Sequence, residues 1–600
     1  MATTYDKASL VMIPSGVKES KLYSIKPTSG DGDFTFSRGT DTATRVNASG
    51  LIEKERSNQI LQSNTFTTTW STTRASFVSG QAGYDGTNDA WAFVDDTNNS
   101  THLSAQSLSL GASVATFSIY AKAGDVDFLA VRFEGSAVDY AYFNLASGTL
   151  GTIDSDYIEA RITDVGGGWY RCEATRVLAA SGNQVVLLAA QANNDPTYAG
   201  AGTTAIYIQD AQVEYGLVAT SPAIETTTAA VYEGITDNLP RLDYSGGASC
   251  PSLLLEPSRT NQITNSEYFN GADWINVDIT YDHNATISPE GVQNAAQLNF
   301  SGTTFKRFEQ NTSNAATACT TSIFMKYIDH AIVMARMDST SGASYAWFNI
   351  QTGEVLKVDG ATGSVPDPIA SVDDYGDGWY RLNTTQNSMA ANQEIFWYFV
   401  PDTDTSTGGW TGSGSAYVYG AQFEEGSYPT SYIPTYGASA SRAQDLSVTA
   451  SPSTSYFGQT EGTIFTEIEI NAITSGSYSR ILNLKNSGGS NQIYIQQNDS
   501  RITGVVFNGS NQFSASTSSG FLSVGSVYKI ALAYKDSDYA FYVDGTQIAT
   551  GSASGLGTLA VDRVDFTTGA GNIGLGNEVK QSLVFNTRLT NAELAALTTI

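Results

Sequence analysis

Gly168-Trp169-Tyr170-Arg171 and Gly378-Trp379-Tyr380-Arg381 are the same four residues at two places in one chain. Working outward from them, further matches keep the same order. Arg56-Ser57-Asn58-Gln59-Ile60 answers to Arg259-Thr260-Asn261-Gln262-Ile263, and Trp70 to Trp274. Residues 117–122 align with 322–326 on the shared lysine, Phe143-Asn144 with Phe348-Asn349, and residues 211–216 with 421–426. The offset grows from 204 (274 − 70) to 210 (379 − 169), as small loop insertions require. A period of about 200 residues is the duplication of a whole domain, since solenoid units run to about 20–50 residues.

Inside each copy the pattern is strand-like. Residues 126–133 and 332–337 are apolar and extended, and Glu394-Ile395-Phe396-Trp397-Tyr398-Phe399-Val400 reads as a buried strand. Ala416-Tyr417-Val418-Tyr419 and Ile206-Tyr207-Ile208 are aromatic and β-branched, which suits a pleated surface. Asn193-Asn194-Asp195-Pro196 and Gly408-Gly409 are turn clusters. Short strands broken by turns every ~8–12 residues indicate a sandwich, and ~150 residues per copy suits a jelly roll. Residues 63–222 and 265–435 are therefore expected to share one topology, with Trp169 overlying Trp379.

The last quarter matches neither copy. Residues 462–470 and 527–534 alternate like half-buried strands, and Tyr539-Ala540-Phe541-Tyr542-Val543-Asp544-Gly545 is a strand entering an Asp-Gly hairpin turn. Ile573-Gly574-Leu575-Gly576 then precedes a final strand at 582–586. Thr590 with Glu593 three residues on is a capping box, which predicts a short closing helix.

Composition narrows the class. Six hundred residues exceed a single core, which stops growing near ~250–300 residues. Charged residues are only 15% of the chain against about 25% for ordinary globular domains, the difference being made up by Ser, Thr, Asn and Gly. No apolar run is long enough to cross a membrane as a helix. The net charge of −28 opposes binding to phosphate backbones and to anionic membranes, so neither nucleic acid nor membrane is an expected partner. Met1-Ala2-Thr3-Thr4-Tyr5-Asp6-Lys7 lacks an apolar run behind a basic start, so it does not read as a secretory signal. The three cysteines, Cys172, Cys250 and Cys319, are widely spaced and predict neither a disulfide framework nor a zinc site.

The C-terminal segment resembles the laminin-G/concanavalin-A-like lectin sandwich through its Tyr542-Val543-Asp544-Gly545 hairpin and Leu589-Thr590-Asn591-Ala592-Glu593-Leu594 helix. The duplicated domain resembles the carbohydrate-binding-module-like jelly rolls of tailed-bacteriophage fibre and head-spike proteins. The likeness is carried by the strand at 117–122, by Gly168-Trp169-Tyr170-Arg171, and by Gln212 with Glu214 in the last strand. Phe36-Ser37-Arg38, Thr44-Arg45-Val46-Asn47 and Gly50-Leu51-Ile52-Glu53 resemble a segment common in tailed-phage structural proteins. So do Pro240-Arg241-Leu242-Asp243-Tyr244 and Leu253-Leu254-Leu255-Glu256-Pro257.

Catalytic chemistry finds little support. His102, His283 and His330 lie in no metal-ligand or nucleophile pattern, and phosphate loops and redox motifs are absent from the sequence. Among 59 acidic residues, carboxylate pairs arise by chance and do not by themselves mark a glycosidase. Trp169 and Trp379 read as core packing, with Arg171 and Arg381 at the sheet edge. Glu214 and Glu424 are candidates for a structural calcium ion, against the plainer reading of edge-strand solvation; no other cofactor is implied. Trp410, in Gly408-Gly409-Trp410-Thr411-Gly412-Ser413-Gly414, has nothing obvious to bury it and is the candidate carbohydrate-binding residue.

The expected fold is thus all-β: tandem jelly-roll sandwiches, two of them a duplication, ending in a concanavalin-A-like sandwich. The division is 1–62 as an N-terminal virion-attachment arm, 63–225 and 265–450 as jelly rolls, 226–264 as a linker, and 451–600 as the lectin-like domain. The arm's apolar patches are too few for a core of their own, so it is expected to order on a partner. The expected function is non-enzymatic: a virion fibre or appendage subunit that binds host-surface carbohydrate and contacts other virion proteins through the arm. A homotrimer is favoured, held by side-by-side sandwich contacts because no sustained heptads appear. The alternative is a secreted or surface polysaccharide-binding protein of a bacterium.

Overall fold

The computed structural model describes the chain except residues 1–3, 19, 134–138, 313–317, 341, 361–364, 389, 391–392, 406–408, 450, 452, 474–477, 567–575 and 600. The Ile573-Gly574-Leu575 part of the C-terminal motif lies outside the described residues.

Strand order establishes the duplication. One sheet of the first jelly roll runs Tyr157–Gly166, Trp169–Leu178, Ser113–Ala123, Thr204–Tyr215, Ala90–Asp95, Ala75–Gln81. Its counterpart runs Ile369–Asp374, Trp379–Gln386, Cys319–Tyr327, Gly412–Glu425, Ala295–Gly302, Ile279–Thr286, strand for strand the same. The facing sheets agree as well: Thr149–Ile153, Ala141–Asn144, Phe128–Phe133, Gln184–Ala190, Asn99–Ser107 and Ser71–Thr73 occupy the places of Glu354–Asp359, Gly342–Asn349, Ile332–Ser339, Glu394–Phe399, Lys306–Asn311 and Ile275–Val277. Register matches too, Lys122 pairing with Trp169 and Lys326 with Trp379. Each copy buries its own aliphatic and aromatic core between the two sheets.

Polar pins are duplicated with the strands. Asn58 donates to the carbonyls of Ala211 and Ile224 and accepts from the N–H groups of Ile60 and Val213. Asn261 repeats this with Ala421, Ile433, Ile263 and Phe423. A fully used buried amide fixes the chain entry to the last strand, which is why Arg-Xaa-Asn recurs. Residues 56–60 and 259–263 therefore belong to the jelly rolls, not to the arm or the linker.

The tryptophans of the repeat are buried on the outer face of their sheet rather than between the sheets. Trp169 clusters with Ala90 and Tyr120, and Trp379 with Phe324, Tyr419, Tyr432 and Ile52. Arg171 and Arg381 are not at a sheet edge as expected. Their strands are flanked on both sides, and each guanidinium donates to a serine hydroxyl, Ser118 or Ser322, in the adjoining strand.

Ahead of each Arg-Xaa-Asn stands a small hairpin closed by an arginine–glutamate pair. In the first, Arg45–Val46 pairs with Ile52–Glu53 and Arg45 bonds Glu53 at 2.9 Å. In the second, Leu242–Asp243 pairs with Ser252–Leu255 and Arg241 bonds Glu256 at 2.6 Å. Each hairpin docks on the domain after its own jelly roll. Ile52 lies in the Trp379 cluster of the second jelly roll, and its N–H donates to Pro289 at 2.9 Å. Ser252–Leu255 pairs with Asn577–Phe585 of the last domain. Arg241 is fully buried, and besides Glu256 it bonds Asp445, the Thr44 carbonyl and Ser431. Burial alone would raise the Glu256 carboxyl, but Arg442, Arg241 and Ser431 hold it well below the usual carboxylate range.

The last domain contradicts two expected boundaries. Its eight-stranded sheet includes Leu10–Met12, Leu242–Asp243 and Ser252–Leu255, and its nine-stranded sheet includes Val17–Lys18, Lys21–Leu22, Phe34–Ser37 and Leu446–Thr449. Leu10, Met12, Leu22, Phe34 and Phe36 are buried in the same core as Ile464, Leu532 and Phe541. The arm is thus not free and the linker is not a linker. A segment too short for its own core completes that of the chain's other end, a pairing across more than 400 positions with no local signature. Asp544 and Gly545 take the positive φ values, 48° and 73°, that a two-residue hairpin turn needs. Thr590 and Glu593 form the capping box of Asn591–Thr598.

Candidate functional site

The two jelly rolls differ on the outer face of the sheet that contains Gln184–Ala190 or Glu394–Phe399, the face turned away from the core. In the second copy two cross-strand rows cover it. One row is Arg307, Tyr398, Met334, Trp347 and Lys357, each directly opposite the next. The other is Glu309, Phe396, Arg336, Tyr345 and Asp359. Alternation places them there, since Phe308, Val333, Ala335, Trp397 and Phe399 point into the core from the same strands.

Cations lie over the rings. The Arg307 guanidinium is 5.3 Å from the centre of Phe396, 5.8 Å from Tyr398 and 5.4 Å from Phe305. Arg336 is 5.1 Å from Phe396 and 5.6 Å from Tyr345, and Lys357 is 4.7 Å from Trp347. Arg307 pairs with Glu309 and Arg336 with Asp338, so both guanidinium planes are held. Burial pushes the Glu309 carboxyl up, against the pull of Arg307. The rings are nearly covered while the charged heads remain partly open to water, and Phe305 at the margin is 36% exposed. Such a surface presents fixed N–H donors and carboxylate acceptors over a buried aromatic floor, with the Phe305 ring open at its margin.

The corresponding rows of the first copy are Leu103, Leu188, Ala130 and Tyr142, and Ala105, Val186 and Arg132. Arg132 and Tyr142 stand where the second copy has Arg336 and Trp347, but Leu103, Leu188, Ala105 and Val186 replace Arg307, Tyr398, Glu309 and Phe396 with aliphatic residues. Arg307, Phe396 and Tyr398 in the second copy are therefore not required by the sandwich.

Trp410 is placed differently from expectation. Its indole N–H donates to the Phe399 carbonyl at 3.0 Å, Lys306 lies 4.6 Å over the ring, and His330 stacks on it at 5.6 Å. It is half-buried against the edge of the core, because glycine neighbours let the loop fold back. Glu214 and Glu424 are buried, not solvated at an edge. Each accepts from a threonine, Thr220 or Thr430, and from a glutamine two residues back, Gln212 or Gln422. The histidines are structural in placement: His102 faces the carbonyls of Arg74 and Tyr198, His330 those of Ile332 and Val400, and His283 lies against Tyr268. Among the described residues, Cys172, Cys250 and Cys319 form no disulfide. Among the described residues no group of three or more His, Cys, Asp or Glu side chains is arranged to hold a metal ion.

The sheet-face residues were missed by sequence reasoning, although Phe396 and Tyr398 stand at alternate positions of a run already read as a strand. Subtracting one repeat from the other, position by position, would have exposed them.

No family model and no curated protein matches the chain. Among solved structures, the CBM40 of a Ruminococcus gnavus IT-sialidase bound to α2,3 sialyllactose aligns at 17% identity over 24% of this chain and 84% of its own, TM-score 0.21. Domain 4 of AbnA, an extracellular arabinanase from Geobacillus stearothermophilus, in complex with arabinotriose, aligns at 12% identity over 27% and 77%, TM-score 0.20. Domains LG4-5 of the mouse laminin α1 chain align at 10% over 47% and 90%, TM-score 0.19. At these scores the alignments carry no argument about activity.

Proposed function

We propose that the chain is a non-enzymatic, glycan-binding virion protein of a tailed bacteriophage, a fibre or appendage subunit used in adsorption. The observation behind the binding role is the contrast between the repeats: on one topology, Leu103, Leu188 and Val186 of the first copy stand where the second has Arg307, Tyr398 and Phe396, beside an arginine and a ring that both copies keep (Arg132 and Tyr142, Arg336 and Trp347). The phage reading rests on the motifs at 36–53 and 240–257. Their buried Arg38, Arg241 and Glu256 lock the junction between the second jelly roll and the last domain, a role that suits a load-bearing subunit. A free arm is not part of this reading, because the strands Leu10–Met12, Val17–Lys18, Lys21–Leu22 and Phe34–Ser37 are built into the last domain. A homotrimer joined by sandwich sides is the assembly proposed.

A glycan array probed with the full chain tests the binding, and mass spectrometry of purified virions tests the setting. Binding lost in Arg307→Ala together with Arg336→Ala, in a protein found in virions, is the expected result. Recovery from culture fluid without lysis favours the secreted alternative. Binding that survives the double substitution removes the face from the proposal.

A further inference from the structure

A second cleft lies between the two jelly rolls, with a volume of about 520 Å³. That is within the ~300–1,000 Å³ of small-ligand sites. Its walls come from both repeats and from the strand that joins the first hairpin to the first jelly roll. Ile52, Leu217, Val218, Val292 and Pro434 make it largely apolar. Tyr215 of one repeat and Tyr436 of the other lie nearly parallel, ring centres 6.2 Å apart and planes 13° from each other.

Most charges on this wall are used internally. Lys54 is taken by Glu267 and Glu290, and Glu214 by Thr220 and Gln212 beside Arg56. Glu55 is the exception: its Oε2 is buried and meets no hydrogen-bond donor among the described residues. Burial, and then the carboxylate of Asp41 on the same wall, push the Glu55 carboxyl up. The Glu55 carboxyl is thus held toward its protonated form, beside the Asp41 carboxyl group on the same wall. An anion is repelled by this pair. A purely apolar ligand would strip the carboxyl groups of water without replacing its hydrogen bonds.

We infer that the cleft between the repeats is a second ligand site, taking an uncharged saccharide of two or three residues. Its C–H faces would lie against Tyr215, Tyr436 and the aliphatic wall, and its hydroxyls would donate to the Asp41–Glu55 carboxyl pair. This site is separate from the sheet face of the second jelly roll and does not depend on it.

The test is ligand-observed NMR and calorimetry on the full chain with maltotriose, cellotriose and tri-N-acetylchitotriose, alongside trimers of glucosamine and of galacturonic acid. At least one uncharged trimer is expected to bind. Val218→Trp, which fills the cleft, and Ala438→Trp, on the exposed rim, should each weaken it roughly tenfold or more. Glu55→Ala should weaken it similarly, while Arg307→Ala with Arg336→Ala should leave it unchanged. Binding by only the charged trimers, by none of the five, or undiminished in a folded Ala438→Trp protein overturns the inference. Should Val218→Trp not fold, the rim and Glu55 variants decide.

Discussion

Lys54 Nζ lies 2.7 Å from Glu290 Oε1 and 3.1 Å from Glu267 Oε1, tying the strand that enters the first repeat to the body of the second. Burial works against the ammonium charge, yet the two carboxylates hold its pKa well above the ordinary lysine value. Removing one partner of a buried ionic group is costly because the remaining charges stay buried, about 3–5 kcal/mol. Lys54→Met should therefore lower the thermal midpoint of the full chain sharply, and adding Glu267→Gln should recover part of the loss. Calorimetric scans of both variants check this; an unchanged midpoint in Lys54→Met would refute the tie.

Asn58 and Asn261 occupy one structural position twice, each making four hydrogen bonds to main-chain groups. Alanine at either site leaves buried N–H and C=O groups without partners, at about 1–3 kcal/mol apiece. Both variants are expected to shift urea unfolding by at least about 2 kcal/mol. A neutral Asn58→Ala beside a destabilising Asn261→Ala would show that the pins are not equivalent.

On the sheet face, Tyr398→Ala should weaken glycan binding about tenfold through loss of the buried ring that supports Arg307. Leu188→Ala, at the matching position of the first copy, should cost stability by cavity formation and leave binding intact. Paired binding and unfolding measurements separate these effects, and a binding loss in both would disconnect function from the arginine-aromatic rows.

Glu55 supplies a pH dependence. Burial and the neighbouring Asp41 push its carboxyl up to about 8, against an ordinary value of 4.5. Between those two pH values the folded chain keeps a proton that the unfolded chain has released. Stability should accordingly fall as pH rises from 4.5 to about 8 and change no further from this group above that. Glu55→Gln should flatten this component in a pH series of melting curves. An identical profile in the variant would exclude the carboxyl as its source.

Deleting residues 1–37 removes Leu10–Met12 from one sheet of the last domain and Phe34–Ser37 from the other. The deletion exposes the core against which Leu10, Met12 and Phe34 pack. Truncated protein should be poorly soluble and bind hydrophobic dye, with protease cutting first within 446–600. A deletion variant that melts like the full chain would contradict the shared core.

The sequence by itself determined the class of fold, the duplication and the closing elements of the last domain. Those readings rest on local physics: alternation of side chains along a strand, the φ preferences of Asp544-Gly545, the reach of Glu593 back to Thr590, and the match of Trp169 to Trp379. Tertiary structure decided what depends on partners far apart in the chain. The apolar residues at 10–36 looked like an unsupported arm because their core lies in residues 464–584. Trp410 looked exposed because Phe399, Lys306 and His330, which surround it, reach it only through folding. The arginine-aromatic face was likewise hidden, since its rows run across five strands and adjacency between strands is not written in any one of them.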